Sequence, residues 1–158
     1  MFIFTTKFSK KKALAVTLIL ALVLIGIILF AGSRSSSPAA PQGGPKLKSN
    51  KDIVNYLTSI GWEISPEPID SQEIVIPKEF DDVYEEYNNI QISQGYDLKN
   101  YSGVKATRYT YKVTNYPDST DNVVLDIIIY KNAIIGGDVQ STSIDGFMQG
   151  LTYPEKSN

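Results

Sequence analysis

The chain has 158 residues, 20% of them charged, and a formal net charge of −2 at pH 7. It contains no histidine and no cysteine, which excludes Ser-His-Asp and Cys-His catalysis, zinc sites built from those ligands, and disulfide bonds. The absence of cysteine also excludes anchoring through a lipid-modified cysteine.

An apolar run from Ala13 to Phe30 follows a basic tip at residues 1–12 that carries four lysines. A helix of this length spans roughly 27 Å, close to the hydrocarbon thickness of a bilayer. Arg34 is the single charged residue in the dozen that follow the run. The positive-inside rule therefore predicts a single-pass transmembrane helix at residues 13–32, with the N-terminus in the cytoplasm and the C-terminal part outside the cell membrane.

A cleaved signal peptide is the alternative interpretation of this segment. The apolar core of a signal peptide usually spans about 7–15 residues, which is shorter than this run. The exit sequence Ala31-Gly32-Ser33 only loosely resembles a cleavage site. The length favours an uncleaved anchor, which makes the cell membrane the predicted location of the protein and its predicted partner.

Behind the apolar run, the composition indicates a linker and one domain. Residues 33–46 consist mainly of Ser, Pro, Ala, Gly and Gln, which is typical of a disordered linker. A single domain is predicted at residues 47–153, with a tail at residues 154–158. From Leu47 onward, nine Lys plus Arg stand against seventeen Asp plus Glu, a difference of minus eight. Such a surface repels phosphates, so nucleic acid is not an expected partner.

Two helices are predicted in this domain. Residues 49–52 match a capping box in which Asp52 takes the place of Glu, and apolar residues follow at helical spacing as far as Ile60. Gly61 stands where a left-handed C-terminal cap belongs. The second helix is predicted at Lys78 to Gln94, where apolar residues form one stripe: Phe80, Val83, Tyr84, Tyr87 and Ile90.

Alternation of apolar and polar residues predicts the strands. The predicted segments are Trp62 to Ile64, Glu73 to Ile76, Thr107 to Thr114, Val123 to Tyr130 and Ala133 to Ser141. The fourth segment is apolar on both sides, which indicates a central strand. Lys131-Asn132 predicts a tight hairpin turn, and Gly136-Gly137 predicts a bulge in the last strand. The element order predicts an α+β fold in which two helices pack on one face of a mainly antiparallel twisted sheet.

Four carboxylates are clustered on the predicted second helix, at Asp81, Asp82, Glu85 and Glu86. Pairs of carboxylates four residues apart share a side of a helix and could hold a hard cation. A solvated helix face explains the same pattern and is the favoured interpretation, because charged helix faces are common. We therefore predict no catalytic residue, no metal ligand and no cofactor.

All ten tyrosines lie in the predicted domain. Tyr96, Tyr101 and Tyr116 fall in predicted loops, where aromatic side chains often mark a binding surface. We interpret these three as a tentative interaction surface. The alternative is that they are ordinary surface tyrosines, which are the commoner case.

Several short motifs together resemble a known family. They are Gly61-Trp62-Glu63, Ile76-Pro77, Tyr87-Asn88, Gln94-Gly95-Tyr96-Asp97-Leu98, Tyr109-Thr110-Tyr111, Asn115-Tyr116-Pro117 and Ile135-Gly136-Gly137-Asp138. This pattern resembles the domain-of-unknown-function family 4830, found mainly in clostridia and related Gram-positive bacteria, over about residues 52–151. Its members look like small membrane-anchored or secreted proteins with no assigned activity. The resemblance implies an extracytoplasmic domain and implies no mechanism.

The sequence therefore predicts a single-pass membrane protein whose extracytoplasmic domain is a binding module and not an enzyme. The expected partner, besides the membrane, is another envelope protein, a peptide or a cell-wall component. Two alternatives remain open: an envelope enzyme that depends on carboxylates alone, and a small regulatory or sensory membrane protein.

Overall fold

The computed structural model describes residues 44–117, 122–143 and 146–154. The predicted transmembrane helix, the basic tip and most of the predicted linker lie outside these residues. Within the described ranges, no helix is both long enough and apolar enough to cross a membrane.

The described residues form an α+β domain around one sheet, which confirms the predicted fold class. Its elements are helices α1 (Asn50–Ser59) and α2 (Asp82–Ser93), a 3-10 helix (Leu98–Tyr101), and strands β1 (Asp70–Val75), β2 (Lys105–Lys112), β3 (Val123–Tyr130), β4 (Ala133–Ser141) and β5 (Met148–Gln149). The strands are all antiparallel and lie in the order β1-β2-β3-β4-β5, so each strand pairs with the next one in the chain.

Both helices begin at side-chain caps. At α1, the Ser49 side chain accepts a hydrogen bond from the Asp52 amide, and the Asp52 carboxylate accepts one from the Ser49 amide, which confirms the predicted capping box. Helix α2 begins at Asp82, later than the predicted start at Lys78. The reason is Asp81, whose side chain accepts a hydrogen bond from the Tyr84 amide at 2.8 Å and caps the helix there.

The two helices cover opposite faces of the sheet, so the prediction that both lie on one face is wrong. Strand β3 is apolar on both sides, and each side needs a cover. The core on the α1 side includes Ile53, Leu57, Trp62, Leu125 and Ile127. The core on the α2 side includes Ile76, Leu98, Val104, Ile128 and Ile135, with Tyr84 and Tyr87 of α2 packed against it. The prediction that β3 is central is confirmed.

The strand and turn predictions are largely confirmed. Lys131 and Asn132 adopt φ angles of 48° and 63° and join β3 directly to β4, as a two-residue hairpin loop requires. The bulge in β4 lies at Ile135, immediately before the glycine pair, where the register with β3 shifts. The predicted strand from Trp62 to Ile64 is reduced to an isolated bridge between Ile64 and Val113.

The outer edge of β4 is closed by two glutamine side chains, Gln91 of α2 and Gln94, the C-cap residue of that helix. Strand β5 pairs only with Val139 and Gln140. Next to that pairing, the Gly137 amide donates to Gln91 Oε1 at 2.8 Å, and Gln94 Nε2 donates to the Gly137 carbonyl at 3.0 Å. The two side-chain amides thus satisfy backbone groups that a longer β5 would otherwise pair.

A tryptophan joins the first half of the domain to its last segment. Trp62 is fully buried, and its Nε1 donates to the Leu151 carbonyl at 2.7 Å. The ring of Tyr153 packs edge-on against it, with ring centroids 4.8 Å apart. Residues far apart in the chain are therefore joined in the α1-side core.

Candidate functional site

An open cavity of about 600 Å³ lies between α2 and the face of the sheet that α2 covers. We call it the α2 groove. Its lining comes from all five strands and from α2: Ile74, Val75, Val83, Tyr84, Glu86, Tyr87, Ile90, Arg108, Asp126, Ile128, Asp138, Gln140 and Met148. Its volume falls in the range of small-molecule sites, which is roughly 300–1,000 Å³.

The wall of the α2 groove is apolar and open to solvent. Val83 is 76% exposed, Val75 is 58% exposed and Met148 is 43% exposed. These three residues come from α2, β1 and β5 respectively, so the exposed apolar atoms surround the groove from several sides. A cluster of exposed apolar side chains around a concave site is typical of ligand-binding surfaces.

Two carboxylates lie at the base of the α2 groove. Asp126 of β3 and Asp138 of β4 are direct partners across the two strands, and they are 4% and 1% exposed. Each carboxylate oxygen of Asp126 accepts a hydrogen bond. The Thr110 hydroxyl donates to Oδ1, and Gln140 Nε2 donates to Oδ2 at 3.2 Å. Arg108 Nε lies 3.9 Å from the same carboxylate.

Only one of the two carboxylate oxygens of Asp138 accepts a hydrogen bond. The Tyr87 hydroxyl donates to its Oδ1 at 2.8 Å, whereas its Oδ2 is buried and has no hydrogen-bond partner among the described residues. Burial and the nearby charge of Asp126 raise the pKa of Asp138 to about 7, against the opposing effects of the Tyr87 bond and the Arg108 charge. A carboxyl group with such a pKa changes its charge near neutral pH.

The contacts of Arg108 lie toward β1 and Asp126. One of its terminal nitrogens donates to Gln72 Oε1 at 3.0 Å and lies 4.0 Å from Asp70. Its Nε is buried without a hydrogen bond. The base of the groove thus contains one basic side chain, Arg108, and two acidic ones, Asp126 and Asp138. Glu86 adds a further carboxylate to the lining.

A protein-family model described as "Domain of unknown function (DUF4830)" matches residues 56–139, which is just over half of the chain. The chain belongs to this family. The matched range contains every residue that lines the α2 groove except Gln140 and Met148. No curated protein and no solved structure matches the chain.

The three predicted surface tyrosines of this DUF4830 domain do not form one surface. Tyr96 and Tyr116 pack against the α1-side core, whereas Tyr101 belongs to the α2-side core and is only 8% exposed. Tyr101 is buried because the 3-10 helix turns its ring toward Tyr130, with ring centroids 5.8 Å apart. The structure therefore does not place the three tyrosines on one common surface.

Tyr96 and Tyr116 have different surroundings on the α1 side. Tyr96 lines a smaller open cleft of about 360 Å³ together with neighbours such as Tyr56 and Tyr153. Tyr116 stacks between Trp62 and Phe147, with ring centroids 6.2 Å and 4.6 Å away. Whether either residue contacts a partner stays a prediction.

The four carboxylates of the predicted acidic helix face have separate roles. Asp81 caps α2, and Glu85 forms an ion pair with Lys99 at 2.7 Å. Asp82 is exposed and Glu86 lines the α2 groove. No group of acidic side chains in the described ranges is arranged to hold a metal ion.

Sequence reasoning missed the two carboxylates that the structure brings together. Asp126 interrupts the apolar run of β3, and Asp138 follows two glycines in β4. A charged residue in the middle of a strand predicted to be buried on both faces is a signal, because burial of an unpaired charge is costly.

Proposed function

We propose that this DUF4830 domain is a non-catalytic binding module held outside the cell by a membrane anchor, and that the α2 groove is its ligand site. The membrane part of the proposal is supported by the apolar run from Ala13 to Phe30 and the lysines before it. The binding part is supported by the geometry of the groove.

The observation that carries the binding proposal is the buried, unpartnered Oδ2 of Asp138 at the base of an apolar groove. Folded proteins leave few buried polar atoms without a hydrogen bond, because each such atom costs roughly 1–3 kcal/mol. An apolar pocket that contains a few convergent polar groups and a carboxyl of perturbed pKa has the features of a binding site. This combination favours a ligand with an apolar body and a polar group.

The binding proposal is tested by titrating the full chain, held in lipid nanodiscs, with benzyl alcohol, benzylamine and benzoate in separate experiments. Amide chemical shifts from NMR report the position of binding. We expect at least one probe to shift the amides of the α2 groove in a saturable way. If none of the three probes shifts them, the groove is not a site for small amphipathic ligands.

Two substitutions on α2 provide a matched pair for this test. Val83→Trp places a large ring at the groove wall and should abolish the saturable shifts. Ile92→Trp makes a similar change on the same helix at a residue that is also exposed but does not line the groove. If both variants lose the saturable shifts equally, the effect of Val83→Trp on binding is not specific to the groove.

The location is tested by fractionation and protease accessibility. We expect the tagged full chain in the membrane fraction, with its C-terminal domain digested by protease added to cells stripped of their wall. A variant that lacks residues 1–32 should remain inside the cell. Recovery of the full chain in the cytosolic fraction, or complete protection from protease, would contradict the anchor.

A carboxylate-dependent enzyme is the second candidate, favoured by Asp126 and Asp138 being side by side with a raised pKa at Asp138. A carboxyl that exchanges its proton near neutral pH has the property of a general acid or base. The test is incubation of the purified full chain with cell-wall material. Release of soluble fragments that stops in Asp138→Asn and persists in Asp82→Asn would favour the enzyme over the binding module.

A further inference from the structure

We propose that the ligand of the α2 groove is a small organic ammonium ion, with its apolar body against the groove wall and its ammonium group at Asp138. This inference rests on the proposed function and adds the chemical class of the ligand.

The charge balance at the base of the groove favours a cation. Arg108 makes its ion-pair contacts with Asp126 and Asp70. No lysine or arginine among the described residues lies within ion-pair distance of Asp138. Glu86 also faces the groove. The base and wall therefore carry more negative than positive charge, and a cation is the complementary ligand.

The two carboxylates differ in their remaining capacity to accept hydrogen bonds. Asp126 already accepts hydrogen bonds from Thr110 and Gln140. Asp138 Oδ2 has no partner, so it can accept one from a ligand donor. An ammonium group has only donors, which suits a site whose free atom is an acceptor. Because Oδ2 is buried, binding requires a rotation of side chains that line the groove.

The lining of the groove suits an organic cation better than a metal ion. Metal ions such as calcium need about six or more oxygen ligands, and the described residues contain no group of three or more acidic side chains that could hold one. An organic cation needs fewer oxygens and gains from apolar and aromatic neighbours. Tyr84 and Tyr87 line the groove with ring centroids 5.7 Å apart, and aromatic rings attract ammonium groups.

Binding of an ammonium ion should be coupled to the protonation of Asp138. The titratable groups that line the groove with Asp138 are Asp126 on β3, Arg108 on β2, and Tyr84, Glu86 and Tyr87 on α2; of these, Asp126, Arg108 and Tyr87 act on its charge. An ammonium ion interacts with the charged form of Asp138, so its binding should expel the proton that the carboxyl holds. Affinity should therefore fall as the pH is lowered through the pKa of Asp138, which is about 7.

The experiment compares three probes of similar shape and different charge: benzylamine, benzyl alcohol and benzoate. The full chain is held in nanodiscs of phosphatidylcholine, which carry no net charge, and groove amides are followed by NMR at pH 8. We expect benzylamine to bind about 10-fold more tightly than benzyl alcohol, a preference that one charge-assisted hydrogen bond can supply. Benzoate should produce no saturable shift.

Variants and pH then assign the preference to Asp138. In Asp138→Asn, benzylamine should lose its advantage while benzyl alcohol still binds, and Asp82→Asn should behave like the wild type. Lowering the pH to 6 should reduce the preference in the wild type and in Asp82→Asn, and should have no such effect in Asp138→Asn. A preference that survives in Asp138→Asn, or binding of benzoate at least as tight as that of benzylamine, would overturn the inference.

The remaining outcomes are also decisive. If benzyl alcohol binds as tightly as benzylamine at pH 8, the ammonium inference fails and the groove remains a ligand site. If no probe binds, the proposed function fails as well. Groove shifts that depend on protein concentration without any probe would place a second copy of the chain in the groove and would overturn the inference.

Discussion

Asp126 and Asp138 face each other across the central strands of the sheet, both nearly fully buried on the side that α2 covers. Like charges directly opposite each other destabilise a sheet. Asp126 has two hydrogen-bond donors and a nearby arginine, whereas Asp138 has one donor. Burial and the nearby charge of Asp126 raise the pKa of Asp138 to about 7, and its single hydrogen-bond donor offsets them only in part. The two carboxylates therefore lower the stability of the folded domain, and the charge of Asp138 changes near neutral pH.

The stability of the domain should depend on the protonation of Asp138. Its pKa rises from 3.8 to about 7 on folding, so between those values the folded state keeps a proton that the unfolded chain releases. The free energy of unfolding should therefore fall as the pH rises from about 4 to about 7, and then level off. The loss should reach up to about 4 kcal/mol. Asp138→Asn should remove this component, which is measured by urea denaturation across the pH range. Asp82→Asn, at an exposed carboxyl of α2, should retain the slope.

The Tyr87 hydroxyl should hold down the pKa of Asp138. Its hydrogen bond to Oδ1 favours the charged carboxylate. Tyr87→Phe should therefore raise the pKa of Asp138 above about 7, as measured by the pH dependence of its side-chain ¹³C carboxyl shift. Tyr84→Phe is the control, because the Tyr84 hydroxyl does not bond Asp138. An unchanged or lowered pKa in Tyr87→Phe would show that the hydrogen bond does not act on the charged form.

Gly137 should tolerate no side chain. A Cβ atom there would lie 2.7 Å from the Asp126 carbonyl oxygen and 2.9 Å from Leu151 Cδ1. The backbone of β3 cannot move aside without disturbing the sheet, so Gly137→Ala should lower the free energy of unfolding by about 1–3 kcal/mol. Gly44→Ala, with open space around the added atom, should be close to neutral. Equal midpoints of denaturation for the two variants would contradict the packing.

Gln94 should stabilise the outer edge of β4. Its Nε2 donates to the Gly137 carbonyl, and its Oε1 accepts from the Leu151 amide at 2.6 Å. Gln94→Ala leaves both backbone groups without these partners and should cost about 1–3 kcal/mol. Faster hydrogen exchange at the Leu151 amide should accompany this loss. Asn89→Ala, at an exposed position of α2, should change neither the free energy of unfolding nor the exchange rate of the Leu151 amide. Slow exchange of that amide in Gln94→Ala would contradict the edge closure.

Local patterns predicted the elements because they act over a few residues. The capping box at Ser49, the turn at Lys131-Asn132 and the apolar run of β3 each depend on neighbours in the sequence, and the structure confirms all three. The α2 start was predicted too early, because the apolar stripe did not reveal that Asp81 serves as the cap.

Long-range contacts account for what the sequence did not predict. Asn88 and Gln91 of α2 are fully buried because they bond backbone amides of Leu98 and Gly137. A helical apolar stripe cannot reveal such partners, and it places Val83 in the core where the structure leaves it exposed. The α2 groove was missed for the same reason, since its base forms only when Asp126 and Asp138 meet across the sheet.

The bond between Trp62 and Leu151 joins residues that are 89 positions apart. Every strand finds its partner among its immediate neighbours in the chain, so the sheet can assemble progressively from one end to the other. The tryptophan pocket, by contrast, is completed only when the final segment arrives. A released chain that ends before Leu151 would thus keep most of the sheet but leave the indole without part of its cover, the sort of surface that quality-control proteases recognise.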